Sequence, residues 1–216
     1  MGCGKGYLTF ATAELLKRDG PPGAVVRGIE SRPELVALCS RVAAESGFDQ
    51  LRFEANAISN AVLPHADVVI ALHACDTATD DAIARGIEAE ASLILLAPCC
   101  HKELRPQLTP PPVLAPALKH GILLERQAEF ATDALRAALL EWAGYETRVF
   151  EFISPEHTNK NLMIAATRRS RVNGRDAAAA HVRNLAAFYG IRNQRLARLL
   201  HFDLGTSSES TPGHGS

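Results

Sequence analysis

The chain has 216 residues, 47% of them hydrophobic and 22% charged, which excludes a disordered or fibrous protein and suits one domain plus an extension. No apolar run reaches the roughly 20 residues of a membrane span, and no secretory leader precedes a cleavage site. The net charge of −1 hides an uneven spread: Arg168 to Leu200 holds eight arginines, no lysine and one acid, Asp176, so that segment carries +7 and the remainder −8.

The cysteines, Cys3, Cys39, Cys75, Cys99 and Cys100, are odd in number and irregular in spacing. That argues against a disulfide framework and for a reducing compartment, so the cytoplasm is the expected location.

Gly2-Cys3-Gly4-Lys5-Gly6 opens the chain. Glycines at alternate positions let a backbone pass close to a ligand and adopt positive φ. Tyr7 to Arg18 follows as a helix, so a bound group meets free N–H donors at a helix start. The P-loop pattern fails, because Lys5 lacks its spacing. The dinucleotide pattern G-x-G-x-x-G is weakened by Tyr7 in its third glycine place, which disfavours a nicotinamide-dependent oxidoreductase.

Ala24 to Ile29 predicts a strand ending at Glu30. Ser31-Arg32-Pro33-Glu34 reads as a capping box, opening a helix that runs to Gly47. Leu51 to Glu54 is a further strand, followed by Asn56 and Ala57. Ala66 to Leu72 is the clearest buried strand and ends in His73-Ala74-Cys75-Asp76. Asp76 or Thr79 caps the next helix, which ends near Gly86. Ser92 to Ala97 is another buried strand, ending in Pro98-Cys99-Cys100-His101. After a proline-rich loop, Thr132 to Trp142 reads as helix. Tyr145 to Ile153 and Asn161 to Thr167 are strands whose short connection makes them antiparallel.

Alternating strands and helices imply an α/β sheet covered on both faces and closed by an antiparallel hairpin. Val172 to His201 reads as helix, broken at Gly190, with a basic stripe of Arg192, Arg195 and Arg198. Gly205 to Ser216 is polar and expected to be disordered. The expected divisions are therefore 1–170, 171–204 and 205–216.

Ligands of open α/β sheets bind beyond the carboxyl ends of the strands. Glu30 is placed there to accept two ribose hydroxyls, or is merely a helix-cap neighbour. Asn56 and Ala57 stand where an adenine is met, unless Asn56 only makes a turn. Asp76 or His73 is the candidate base, and Asp76 is equally suited to an N-cap. Cys75 with Cys99 and Cys100 offers soft metal ligands. Lacking a C-x₂-C pair, and with adjacent side chains that do not readily face one ion, this corner reads instead as a substrate-facing loop with Pro98 and His101, and no metal is assigned. His157, in the hairpin loop, lies near the same mouth. The basic stripe is either a phosphate-binding face or a solvated one.

The glycine loop with Tyr7-Leu8, the segment Ala71-Leu72-His73-Ala74-Cys75-Asp76 with Ala78-Thr79-Asp80, and Pro98-Cys99-Cys100-His101-Lys102 together resemble a branch of the class I S-adenosylmethionine (SAM) methyltransferases. The branch includes bacterial methyltransferase-domain proteins and the methyltransferase-like domain of the glutathione-S-transferase-C-terminal-domain protein. It is more distantly similar to a tRNA ribose methyltransferase. The resemblance covers about Met1 to Thr167. It implies a Rossmann-like fold and SAM contacts from Gly2, Gly4, Gly6 and Glu30; Cys3, within the loop, and Asn56 and Ala57, at the strand end, are expected to join the cofactor site. His73, Cys75 and Asp76 then line the methyl end. The distant likeness and the arginine segment favour RNA as acceptor; a non-catalytic SAM-fold binding module is the alternative.

Members of this branch carry an apolar strand and an acid just before the glycine loop, and neither precedes Met1 here. An N-terminally truncated domain is the expectation. Its sheet then lacks the central strand between those ending at Glu30 and Asp76, leaving backbone groups unpaired on both neighbours.

Overall fold

The structure is a computed structural model that describes residues 1–72, 74–109, 111–152, 161–171 and 174–205. Its elements in order are α1 (Tyr7–Asp19), β1 (Val26–Glu30), α2 (Pro33–Glu45), β2 (Leu51–Ala55), β3 (Val68–Leu72), α3 (Thr77–Glu88), β4 (Leu93–Ala97), α4 (Ala115–Leu118), α5 (Gly121–Trp142), β5 (Tyr145–Glu151), β6 (Leu162–Arg168), α6 (Arg175–Tyr189) and α7 (Arg195–Leu199). Single 3₁₀ turns follow β2 and β4.

The strands form two sheets rather than one. β1 and β2 pair in parallel; β3, β4, β6 and β5 follow in that spatial order, with β3 and β4 parallel and β6 antiparallel to both of its neighbours. The expected terminal hairpin is present, with β6 inserted between β4 and β5. The break falls between β1 and β3, where the central strand was expected to be missing. Residues 1–3 stitch the two sheets at this break. The Met1 ammonium donates to the Ile70 carbonyl at 2.8 Å, and the Cys3 N–H donates to the Ile29 carbonyl at 2.9 Å. Burial pulls the pKa of that ammonium below its ordinary value.

The core divides along the same line. The larger cluster joins Val69, Ile83, Ile94, Leu96, Leu135, Leu139 and Ile164 with Val182, Tyr189, Ile191 and Leu196. The C-terminal helices therefore share the core of the four-stranded sheet. The smaller cluster holds Ala13, Ala43 and Leu51 under Phe10, Phe48 and Phe53. Gly28 lets this layer close, because a Cβ there would stand 2.5 Å from the Phe53 ring and 3.1 Å from Cys3 Sγ.

Three local expectations are corrected. Ser31 makes no capping box: α2 starts after Arg32 with no side-chain cap, and the Ser31 hydroxyl donates to Glu30. Asp76 stands at the N-cap position of α3 but makes no cap bond, and the Thr79 hydroxyl donates to the Ala74 carbonyl. The helix read over 132–142 begins at Gly121 and spans 22 residues. The 206–216 tail lies outside the described residues.

Candidate active site at the strand ends

Gly2, Gly4 and Gly6 have φ of 64°, 55° and 76°, left-handed values that favour glycine over any other residue. The Gly6 N–H closes a turn onto the Cys3 carbonyl at 2.8 Å. Gly6 is also the N-cap of α1, and no side chain caps that helix. The first-turn N–H groups of α1 are therefore donors without intrahelical acceptors, suited to a carboxylate or other anionic group.

Glu30 ends β1 directly beneath this loop and is only 5% exposed. Its Oε2 accepts from the Gly4 N–H at 2.8 Å. Its Oε1 accepts from Arg32 Nε at 2.8 Å and from the Arg32 N–H at 3.2 Å. The Arg32 side chain and these N–H groups outweigh burial and hold the carboxyl at about 2. Both oxygens of the carboxylate read as a ribose acceptor thus already have partners within the chain. Asn56 continues β2 and is tied to the same corner by its N–H to the Glu30 carbonyl, with its side chain turned to Glu54 and Asn60. Ala57 is exposed and caps the following 3₁₀ turn.

At the end of β3, His73 lies outside the described residues, as does His157. Asp76 has φ 52° and ψ −122°, a conformation costly for any side-chain-bearing residue. Its Oδ1 accepts from the Lys102 and Glu103 N–H groups at 2.9 and 3.1 Å, pinning the turn after β4 to the turn after β3. Cys75, Cys99 and Cys100 meet at this seam, with Sγ separations of 3.7 Å for Cys75–Cys99 and for Cys99–Cys100. Burial, then the neighbouring thiols, push Cys99 up to about 12.

Beside the seam opens a cavity of about 440 Å³ lined by Pro98, Cys99, His101, Phe130, Asp133 and Asn161 among others. His101 is 5% exposed, and its Nε2 lies 2.9 Å from Asp133 Oδ2, while its Nδ1 has no partner among the described residues. Asp133 continues to Arg136, which is buried against Asp80 and also donates to the Asp76 carbonyl at 2.8 Å. Asp133, Arg136 and Phe130 were not singled out in the sequence. The one hint was the i, i+3 spacing of an acid and an arginine on an otherwise apolar helix face.

The geometry thus brings together Gly2, Cys3, Gly4, Gly6, Glu30 and Asn56 at one parallel strand edge, and Cys75, Asp76, Pro98, Cys99, Cys100 and His101 at the next. Among the described residues no helix is long and apolar enough to cross a membrane.

Residues 1–107 match the family model of a methyltransferase domain. No curated protein matches the chain in sequence. Among solved structures it is similar to an rRNA methylase from Streptococcus thermophilus, at 9% identity and a TM-score of 0.41, covering 77% of this chain and 83% of that one. The stretch 1–107, similar to this family of methyltransferase domains, holds the glycine loop, Glu30 and the cysteine corner.

Proposed function

We propose that the chain transfers a methyl group from S-adenosylmethionine to an RNA acceptor in the cytoplasm. The observation that carries the cofactor assignment is the left-handed glycine loop, which delivers the uncapped start of α1 and Glu30 to one parallel strand edge. The free N–H groups of the α1 first turn suit a carboxylate, and Glu30 Oε2, which accepts from the Gly4 N–H, keeps a second lone pair for a hydroxyl group. The residues present therefore fit the cofactor, with Gly2, Cys3, Gly4, Gly6, Glu30, Asn56 and Ala57 as its holders.

When bound, S-adenosylmethionine supplies an electrophilic methyl group on a sulfonium. The chain's part is alignment and, for a hydroxyl or amine acceptor, proton removal. Asp76 fixes the turn after β4, so it positions Pro98, Cys99 and His101 along the acceptor cavity, with Cys100 in the same turn. Asp76 and His73 are the proposed bases.

The RNA assignment is supported by Arg171, Arg175, Arg183 and Arg192, which are exposed and make no ion pair among the described residues. Arg195 and Arg198 of the predicted stripe instead reach Asp81 at 2.7 Å and Glu103 at 3.6 Å. The proposed phosphate-binding face therefore centres on these four arginines, of which Arg175 and Arg183 also stack on Trp142 and Phe202 and keep their charge free of an acid among the described residues.

Calorimetry of the full chain with SAM and with NAD, followed by transfer of a radiolabelled methyl to total RNA, tests the reading. Heat with SAM, label in RNA and a gel shift that weakens with salt are expected. Heat with NAD alone overturns the cofactor assignment, and label in protein overturns the acceptor. One observation favours a second reading, a non-catalytic SAM-fold binding module: both Glu30 oxygens are engaged by Arg32 and Gly4. SAM binding without transfer to any RNA would support it.

A further inference from the structure

The turns after β3 and β4 leave the four-stranded sheet side by side, because these strands are parallel neighbours in direct register. Cys75 comes from the first turn, Cys99 and Cys100 from the second. Their three Sγ atoms all lie within 4.8 Å of one another, with two separations of 3.7 Å. A disulfide needs about 2.05 Å. A tetrahedral zinc ion with Zn–S bonds of about 2.3 Å places its sulfurs about 3.8 Å apart. Two of the three edges thus already have the length that a zinc tetrahedron imposes.

We propose that Cys75, Cys99 and Cys100 form a three-thiolate site for a single Zn²⁺, with its fourth position open to water or to a further ligand. The sequence argument against this was that adjacent cysteines do not readily face one ion. That holds for a regular strand, whose side chains alternate between faces. Cys99 and Cys100 lie just past the end of β4, in irregular backbone, and their thiols are neighbours. The site is also assembled by contacts that do not involve sulfur, since Asp76 clamps the Lys102 and Glu103 N–H groups. Cys75 is exposed and the other two are half-buried, so an ion reaches the cluster from solvent. Because Cys99 also lines the cavity, a bound ion sits at its rim. Three thiolates, with no fourth protein ligand among the described residues, are the donor pattern of sites that keep an exchangeable position. Binding releases the three thiol protons, one per sulfur that enters coordination.

The full chain, purified under reducing conditions from zinc-supplemented cells, tests the site by elemental analysis and by Co²⁺ substitution. The expected results are one zinc per chain and, with Co²⁺, the intense sulfur-to-metal absorption and visible bands of a tetrahedral thiolate site. Cys75→Ser, at an exposed position, is expected to abolish stoichiometric zinc while keeping the wild-type circular dichroism. Cys39→Ala, whose thiol lies by the glycine loop, is expected to retain it. A folded wild-type chain without zinc, copper in its place, an octahedral Co²⁺ spectrum, or full zinc in Cys75→Ser each overturns the proposal.

Discussion

Arg136 and Asp80 form a two-point ion pair inside the protein, Nε to Oδ1 at 3.1 Å and Nη2 to Oδ2 at 2.7 Å, with side chains 1% and 0% exposed. Burial opposes the guanidinium charge, and Asp80 and then Asp133 more than offset it, holding Arg136 above its ordinary pKa. The pair sits at a junction. Arg136 reaches the Asp76 carbonyl on one side, and Gln194 Nε2 donates to Asp80 Oδ1 at 2.7 Å on the other, while Gln194 itself caps α7 through the Ala197 N–H. One buried cation therefore ties the candidate site to the C-terminal helices.

Arg136→Met leaves Asp80 and Asp133 buried without their cation. Breaking such a pair from one side costs about 3–5 kcal/mol. Urea denaturation at neutral pH should show a loss of that size. A loss below about 1 kcal/mol would mean that the network is not sealed from water.

Glu30 predicts an acid limb in the stability profile. Its carboxyl is held at about 2, against an ordinary value of 4.5, first by the Arg32 side chain and then by the Gly4 and Arg32 N–H groups. The folded state thus binds the proton less readily than the unfolded one. The stabilisation is full above the unfolded pKa and is lost as pH falls from about 5 toward 2. Arg32 is more than half exposed, so solvent screens the pair, and the effect is on the order of 1–3 kcal/mol. Denaturation at pH 6 and pH 3 measures it. Glu30→Gln should flatten this part of the profile, and an unchanged slope would place the acid sensitivity elsewhere.

The strands were legible because runs such as Val68–Leu72 and Leu93–Ala97 are continuously apolar, the pattern typical of parallel strands. The glycine loop was legible because its spacing anticipates positive φ. The first half of α5 was not, since Ile122, Leu123 and Phe130 are largely exposed and blur the helical stripe. The buried network was unreadable for another reason. Arg136 meets Asp80 across 56 residues, and Gln194 meets it across 114. Nothing local marks such pairs. The partners of the arginine stripe were unreadable for the same reason, because Arg195 and Arg198 find acids that sequence spacing does not bring near.

Asp76 offers a way to separate a structural role from a chemical one. Its backbone holds φ 52°, and its carboxylate clamps two N–H groups of the neighbouring turn. Asp76→Ala loses the clamp and keeps the strain. Asp76→Gly loses the same clamp but relieves strain worth about 1–3 kcal/mol. The glycine variant should therefore be the more stable of the two by about 1 kcal/mol or more in thermal or urea unfolding, although both lose methyl transfer if Asp76 is the base. Equal stabilities would show that the backbone there relaxes without cost.

The division of the sheet predicts uneven protection from hydrogen exchange. β1 and β2 rest, among the described residues, on a small cluster around Ala13, Ala43 and Leu51, whereas β4 and β6 lie within the larger core. Segments with few buried apolar contacts open at lower free energy. Peptides covering 24–55 should exchange faster than those covering 93–97 and 162–168, and the difference should vanish only under conditions of global unfolding. The bridge made by residues 1–3 gives a second arm. A single strand bonded to two neighbours stands about 4.8 Å from each, and Met1 and Cys3 already bond to β3 and β1 respectively. A chain carrying a short apolar strand joined ahead of Met1 should protect β1 and β3 together, raising both toward the level of β4. If only β3 gained protection, the two sheets would not be separated by the width of one strand.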